Sequence, residues 1–149
     1  MSLLLLLVSV IGISSYFLFK DKINLLDVDH SAVDWNGKKQ KDTSGEENTI
    51  AIPGFEKVTL YANETTQAVN FHNPEINDCY FKISLIHPDG SVLWISDLIE
   101  PGKGMYSIEL EKTLAVGEYE NAVLKYECFS LNDQSPLNGS EINLKLVVV

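Results

Sequence analysis

Apolar and polar positions divide the chain into three stretches of different rhythm. Residues 1–19 carry no charge, and residues 3–10 are almost purely aliphatic. A bilayer core of ~30 Å takes ~20 apolar residues in a helix rising 1.5 Å per residue. The run therefore predicts one N-terminal hydrophobic helix over residues 1–20, a transmembrane anchor. Residues 21–48 show no sustained periodicity and end rich in Gly, Ser, Lys, Glu and Asp, which predicts a flexible tether. From Thr49 the period becomes two. Cys79, Phe81, Ile83 and Leu85 share one face while Tyr80, Lys82 and Ser84 take the other, as in a half-buried strand. Similar alternation occurs at Val58/Leu60, Val69/Phe71, Tyr106/Ile108/Leu110, Leu124/Tyr126/Cys128 and Ile142/Leu144/Leu146/Val148. With residues 49–52 counted, a domain over 49–149 holds seven to eight strands.

Turn chemistry separates these strands. In His87-Pro88-Asp89-Gly90-Ser91 proline presets the second turn position and glycine takes positive φ, so the chain reverses into a second strand over residues 92–96. Pro53-Gly54, Asn63-Glu64, Asn73-Pro74, Pro101-Gly102, Val116-Gly117 and Asn138-Gly139 supply further breaks. Short strands at regular spacing without an amphipathic helix predict an all-β fold. Its expected form is an immunoglobulin-like antiparallel β-sandwich, with a small closed barrel as the alternative. The stretch Leu114-Ala115-Val116-Gly117-Glu118-Tyr119 resembles the tyrosine corner of such domains, in which a Tyr at the start of a late strand bonds back to the preceding turn.

Composition narrows the partners. The chain has 149 residues, and its 11 basic residues are all lysine against 21 Asp plus Glu, for a net charge of −10. Without arginine there is no bidentate fork for phosphate or guanine, and the negative charge repels a polyanion, so nucleic acid is excluded as a partner. A length of 149 residues leaves room for one domain of about a hundred residues beyond the apolar run. Abundant Lys, Asn and Ile in place of Arg suggests a low-GC bacterial coding sequence.

The apolar run has two further readings, a cleaved signal peptide and a hydrophobic tail tucked into the core of a cytoplasmic protein. Small residues stand at Gly12, Ser14 and Ser15, but cleavage there leaves Tyr16, Phe17, Leu18 and Phe19 as an apolar stub, and no lysine precedes position 20. An uncleaved anchor is therefore preferred. No cysteine ends the run, which excludes a lipoprotein-type thioether anchor. Lys20 and Lys22 favour a cytoplasmic domain; the cysteine pair in the strands, and a basic leader upstream of this start, favour the opposite. The expectation is a single-pass protein with its domain on the extracellular face, or a secreted one if the run is cleaved.

Candidate chemistry is sparse. Cys79 opens one strand and Cys128 ends another, strands C and F of an immunoglobulin-like layout. Those strands are antiparallel neighbours, and both cysteines have core-facing parity. A disulfide between Cys79 and Cys128 is expected in an exported domain; it closes a loop of about fifty residues and adds ~3–4 kcal/mol. Two buried free thiols are the alternative. Asp27, Asp29, His30 and Asp34 lack the glycine bend and closing glutamate of a calcium loop, since Ser31 and Ala32 fill the fifth and sixth places. No metal or cofactor is expected. His30, His72 and His87 lie apart, and no Gly-x-Ser-x-Gly, His-Glu-x-x-His, phosphate loop or Cys-x-x-Cys occurs, so no catalytic residue is assigned.

The strings Ile52-Pro53-Gly54, residues 73–81 (NPEINDCYF), Leu98-Ile99-Glu100-Pro101-Gly102, Gly117-Glu118-Tyr119 through Tyr126-Glu127-Cys128, and Leu137-Asn138-Gly139 resemble an uncharacterised family of small membrane-anchored or secreted β-rich proteins of low-GC Gram-positive bacteria. The resemblance covers residues 50–149 and the apolar run. It implies no activity and no catalytic residue. The function expected is a non-catalytic, membrane-tethered extracytoplasmic module that binds an envelope or surface protein, or associates with itself. The alternative is a carbohydrate or cell-wall binding domain stacking sugars on Tyr80, Trp94 and Tyr106.

Overall fold

Alternating apolar residues that are β-branched or aromatic pay for their ordering only when neighbouring strands close a common core, and here two sheets do so. The computed structural model describes residues 25–37 and 50–149. The hydrophobic helix expected over 1–20, and the lysine-rich half of the expected tether, lie outside the described residues. Eight strands follow in chain order: β1 (Val33–Asp34), β2 (Lys57–Leu60), β3 (Thr66–His72), β4 (Cys79–Ile86), β5 (Val92–Ile95), β6 (Lys103–Glu109), β7 (Gly117–Ser130) and β8 (Pro136–Val148). There is no helix among the described residues.

One sheet has the order β2-β8-β7-β4-β5 and the other β1-β6-β3. β2 runs parallel to β8, while every other pairing is antiparallel. Phe71, Met105 and Ile108 of the smaller sheet join Phe81, Ile83, Leu85, Trp94, Leu124, Tyr126, Leu144 and Leu146 of the larger in a single buried cluster. The Phe71 and Trp94 rings meet between the sheets at 5.7 Å. Phe81 and Tyr126 pack edge to face at 5.2 Å. Tyr126 is the largest fully buried side chain, and its hydroxyl donates to Pro53 O at 3.3 Å. Burial pushes that hydroxyl well above the usual phenol range, so it stays protonated and remains a donor.

Polar side chains inside the fold replace backbone partners where the strands stop. Asn73 Nδ2 donates to Cys79 O at 2.8 Å and to Ile99 O at 2.9 Å. Asn77 Nδ2 donates to Asn73 Oδ1 and to Ala51 O, both at 2.9 Å, while its Oδ1 accepts from Ala51 N at 2.7 Å. The two amides thus tie the β3–β4 connection to the start of β4, to Ile99 and to the strand-free segment around Ala51. Gln67, also buried, accepts from Tyr61 N and donates to Tyr61 O and Glu64 O at 2.8 Å each, closing the β2–β3 turn. Tyr119 Oη donates to Ala115 O at 2.8 Å, the back-bond expected of that tyrosine.

The β4–β5 hairpin turns where the sequence predicts, with His87 N donating to Ser91 O. Four expectations change. Residues 50–52 form no strand. Asn138-Gly139 is no turn: it lies inside β8, where the register against β7 shifts between Tyr126 and Cys128. A Cβ on Gly139 would stand 2.2 Å from Tyr126 O, so this bulge needs glycine for close backbone approach. Tyr106 faces outward and Met105 is buried in its place, because β3 bulges between Ala68 and Phe71 opposite it. Finally, residues 25–37, assigned to the tether by composition, pack on the domain and contribute β1.

Asn73→Ala strips donors from two buried carbonyls and is expected to cost at least about 2 kcal/mol, against about 0.5–1.5 kcal/mol for Tyr119→Phe. Urea unfolding of both variants checks the order; an Asn73→Ala midpoint equal to wild type contradicts it.

Candidate functional site

Trp35 organises a surface where aromatic, amide and carboxylate groups converge. Its backbone N donates to Gly102 O at 2.9 Å, continuing the line of β1 along β6. The indole then crosses the outer face of the smaller sheet. Its Nε1 donates to Asn70 Oδ1 at 2.6 Å, and its ring stacks on His72 at 3.8 Å with 9° between planes. This crossing requires Gly104 beneath it: a Cβ there would lie 2.9 Å from Trp35 Cδ1 and 2.7 Å from Phe71 O. Next to it, Asn36 N donates to Tyr106 Oη at 3.0 Å, and Tyr106 Oη donates back to Asn36 Oδ1 at 2.9 Å. Lys103 Nζ pairs with Asp34 Oδ1 at 3.0 Å, which raises the lysine's pKa, though in solvent the pair adds little stability.

Beside the stacked rings opens a groove of about 520 Å³. Trp35, His72, Pro74, Ile76 and Pro101 line it, and Asp34 and Glu75 stand among its carboxylates. Ile76 is 69% exposed there and adds apolar surface beside Pro74 and Pro101. Of the two carboxylates Asp34 is shared with Lys103, so Glu75 carries the uncompensated negative charge of the rim. Such a surface suits an apolar segment carrying a lysine or other cation.

The three aromatics proposed for ligand contact are not brought together. Trp94 is 7% exposed and packs on Phe71, so its ring faces are spent on the core. Tyr80 lies on the outer face of the larger sheet, paired across from Phe129. Tyr106 alone belongs to the Trp35 surface, held by Asn36. Sequence reasoning missed Trp35, Asn70 and His72 as a group. The available signal was one large aromatic in an otherwise charged stretch expected to be solvated.

The acidic cluster serves structure. Asp29 Oδ1 accepts from Ser31 N at 2.9 Å, and its Oδ2 accepts from Asp97 N at 3.1 Å. Among the described residues no group of three His, Cys, Asp or Glu is arranged to hold a metal ion.

Cys79 and Cys128 are neighbours across β4 and β7 and both are buried, as parity predicts, but they are free thiols and not the expected disulfide. The register is the reason. Cys79 stands opposite Ser130 and Cys128 opposite Phe81, which makes the cysteines a diagonal pair. Diagonal Cα atoms lie ~7–8 Å apart, beyond the usual span of a disulfide. The thiols instead share a hydrogen bond, which lowers the pKa of Cys79 and raises that of Cys128.

Comparison with protein families, with curated proteins and with solved structures finds no match to this chain.

Purified without reductant, the chain is expected to show no reactive thiol when folded and two per chain in denaturant; no thiol in denaturant would restore the disulfide. Gly104→Ala is expected to cost about 1–3 kcal/mol and to unseat the indole. In a Trp94→Phe background Trp35 is the single emitter, and a red-shifted emission maximum on adding Gly104→Ala checks this.

Proposed function

We propose that this chain is a non-catalytic interaction module: an immunoglobulin-like β-sandwich, tethered to the membrane by residues 1–20 and displayed on the extracytoplasmic side, that binds a protein partner. The observation that carries the reading is the groove beside Trp35, with its Pro74, Ile76 and Pro101 walls and its Asp34 and Glu75 carboxylates. An exposed apolar lining gains from covering by another chain, and the Glu75 carboxylate, with Asp34 shared between Lys103 and the groove, favours a partner segment bearing lysine or arginine. The contacting segment is apolar and cationic, and a second copy of this chain is one form that the partner takes.

The immunoglobulin-like assignment is supported by three features together: β7 lies between β8 and β4, β2 runs parallel to β8, and Tyr119 bonds back to Ala115. An apolar run placed ahead of a folded domain is the arrangement of export signals and signal anchors, which supports the membrane address. The carbohydrate reading loses its stacking surface, because Trp94 is spent on the core and Tyr80 and Tyr106 lie on different sheets.

A photo-crosslinking residue placed at Ile76 in the expressing cell is expected to trap one discrete protein adduct. Asp34→Lys with Glu75→Lys should reduce it at least about fivefold, roughly 1 kcal/mol of lost binding. An identical adduct pattern from a probe at Val116 overturns the groove as the binding surface. Trypsin added to intact cells should digest the domain; full protection places it on the other side of the membrane.

A further inference from the structure

Residues 25–37 are fastened to the domain at several points. Leu26 N donates to Gln134 Oε1 at 2.6 Å and Gln134 Nε2 donates to Leu26 O at 3.0 Å, a two-bond clamp between this segment and the β7–β8 turn. Gln134 adopts a φ of 56° to make it, a left-handed conformation uncommon outside glycine. Asp29 N then donates to Leu98 O at 2.8 Å and Leu98 N to Asp27 O at 3.0 Å, before β1 joins β6. The segment from Leu26 to Trp35 is therefore fastened to the fold.

Between the apolar run ending at Phe19 and the domain starting at Leu25 lie only residues 20–24. Fully extended, that stretch spans at most ~20 Å, less than the diameter of a domain with a radius of gyration of ~13 Å. A domain on so short a lead cannot turn its far end to the membrane. The segments that meet at the Gln134 clamp carry exposed leucines: Leu25 (61%) and Leu26 on one, and Leu131 and Leu137 (43%) on either side of the β7–β8 turn. Asp27 and Asp133 flank this patch, and Lys20 and Lys22 lie in the lead itself, where they can meet anionic headgroups.

We infer that the end of the domain formed by Leu25, Leu26 and the β7–β8 turn rests on the surface of the bilayer that holds residues 1–19. The occupant of this apolar patch is the headgroup and upper acyl region of the lipid, into which four leucines reach. The opposite end, with Tyr61, Val116 and Val149, points away, whereas the connection before β4 stands at the near end because Cys79 pairs with Ser130, so the partner meets the groove close to the bilayer surface. This inference rests on the anchor reading above, and its test separates the two.

The full chain is reconstituted into phosphatidylcholine–phosphatidylglycerol vesicles and labelled with a fluorophore at Asn132→Cys or at Val116→Cys, with the unsubstituted chain as the labelling blank. Lipids carrying a nitroxide headgroup are expected to quench the label at position 132 at least twofold more than that at 116. A ten-residue Gly/Ser insertion after Lys22, combined with Leu131→Ser and Leu137→Ser, should abolish the difference. Equal quenching at the two positions in chains that float with the vesicles overturns the inference and leaves the anchor intact. Chains that do not float overturn both.

Discussion

Two buried side-chain amides tie together the connection between the sheets and the segments around it. Asn73 and Asn77 lie there, donating to backbone carbonyls of Cys79, Ala51 and Ile99, the last of which also accepts from Phe81 N of β4. Leaving such groups unpaired costs about 1–3 kcal/mol each, a large share of a small domain's net stability. The amide relay supplies partners at once, and it reinforces the reciprocal backbone pair of Phe81 and Ile99 that holds the start of β4 beside Ile99. The register of β4 against β7 starts from that point, and with it the pairing of Phe81 with Cys128 and the edge-to-face contact of Phe81 with Tyr126. The same relay places Pro74 and Ile76, which hang between the two amides and form one wall of the groove.

Much of the sheet structure was legible because alternation is a local property. The inward parity of Cys79, Phe81, Ile83 and Leu85, and of Leu124, Tyr126 and Cys128, survives intact in β4 and β7. The β4–β5 turn and the Tyr119 back-bond follow from residues a few positions apart. What failed depended on pairing between distant segments. The bulge in β3 reverses the faces of Met105 and Tyr106 on its partner β6, and nothing near Tyr106 in sequence records that. Asn138-Gly139 carries turn chemistry, but the turn at residues 131–135 comes first, so the glycine is used for a bulge. The two cysteines were placed on the right strands and the right face, with the error confined to an offset of one pleat.

The candidate site was hidden for a related reason. Charged residues such as Asp27, Asp29 and Asp34 make residues 25–37 read as solvated chain, and no short-range pattern reveals that Asp29 fastens to Asp97 or that Asp34 pairs with Lys103. Trp35 has no apolar neighbours at strand or helix spacing. Its binding pocket is assembled from Asn70, His72 and Gly104, residues of two other strands, and exists only once β3 and β6 are paired. Polar composition described the outer face of that segment correctly while missing the backbone and indole bonds on its inner face.

The clamp at Gln134 acquires another meaning when the protein is considered as a mechanical link. A pull on the chain ahead of Leu26 would meet first the two amide bonds to Gln134, next the bonds around Val28 and Leu98, and then the two-residue strand β1. These attachments lie in series along one surface segment and pass any load to the β7–β8 turn, Leu98 and β6 in turn. Because Trp35 closes the same segment, loss of these attachments would take the indole off His72 and remove one wall of the groove, so the shape of that surface depends on bonds made outside it, at Gln134.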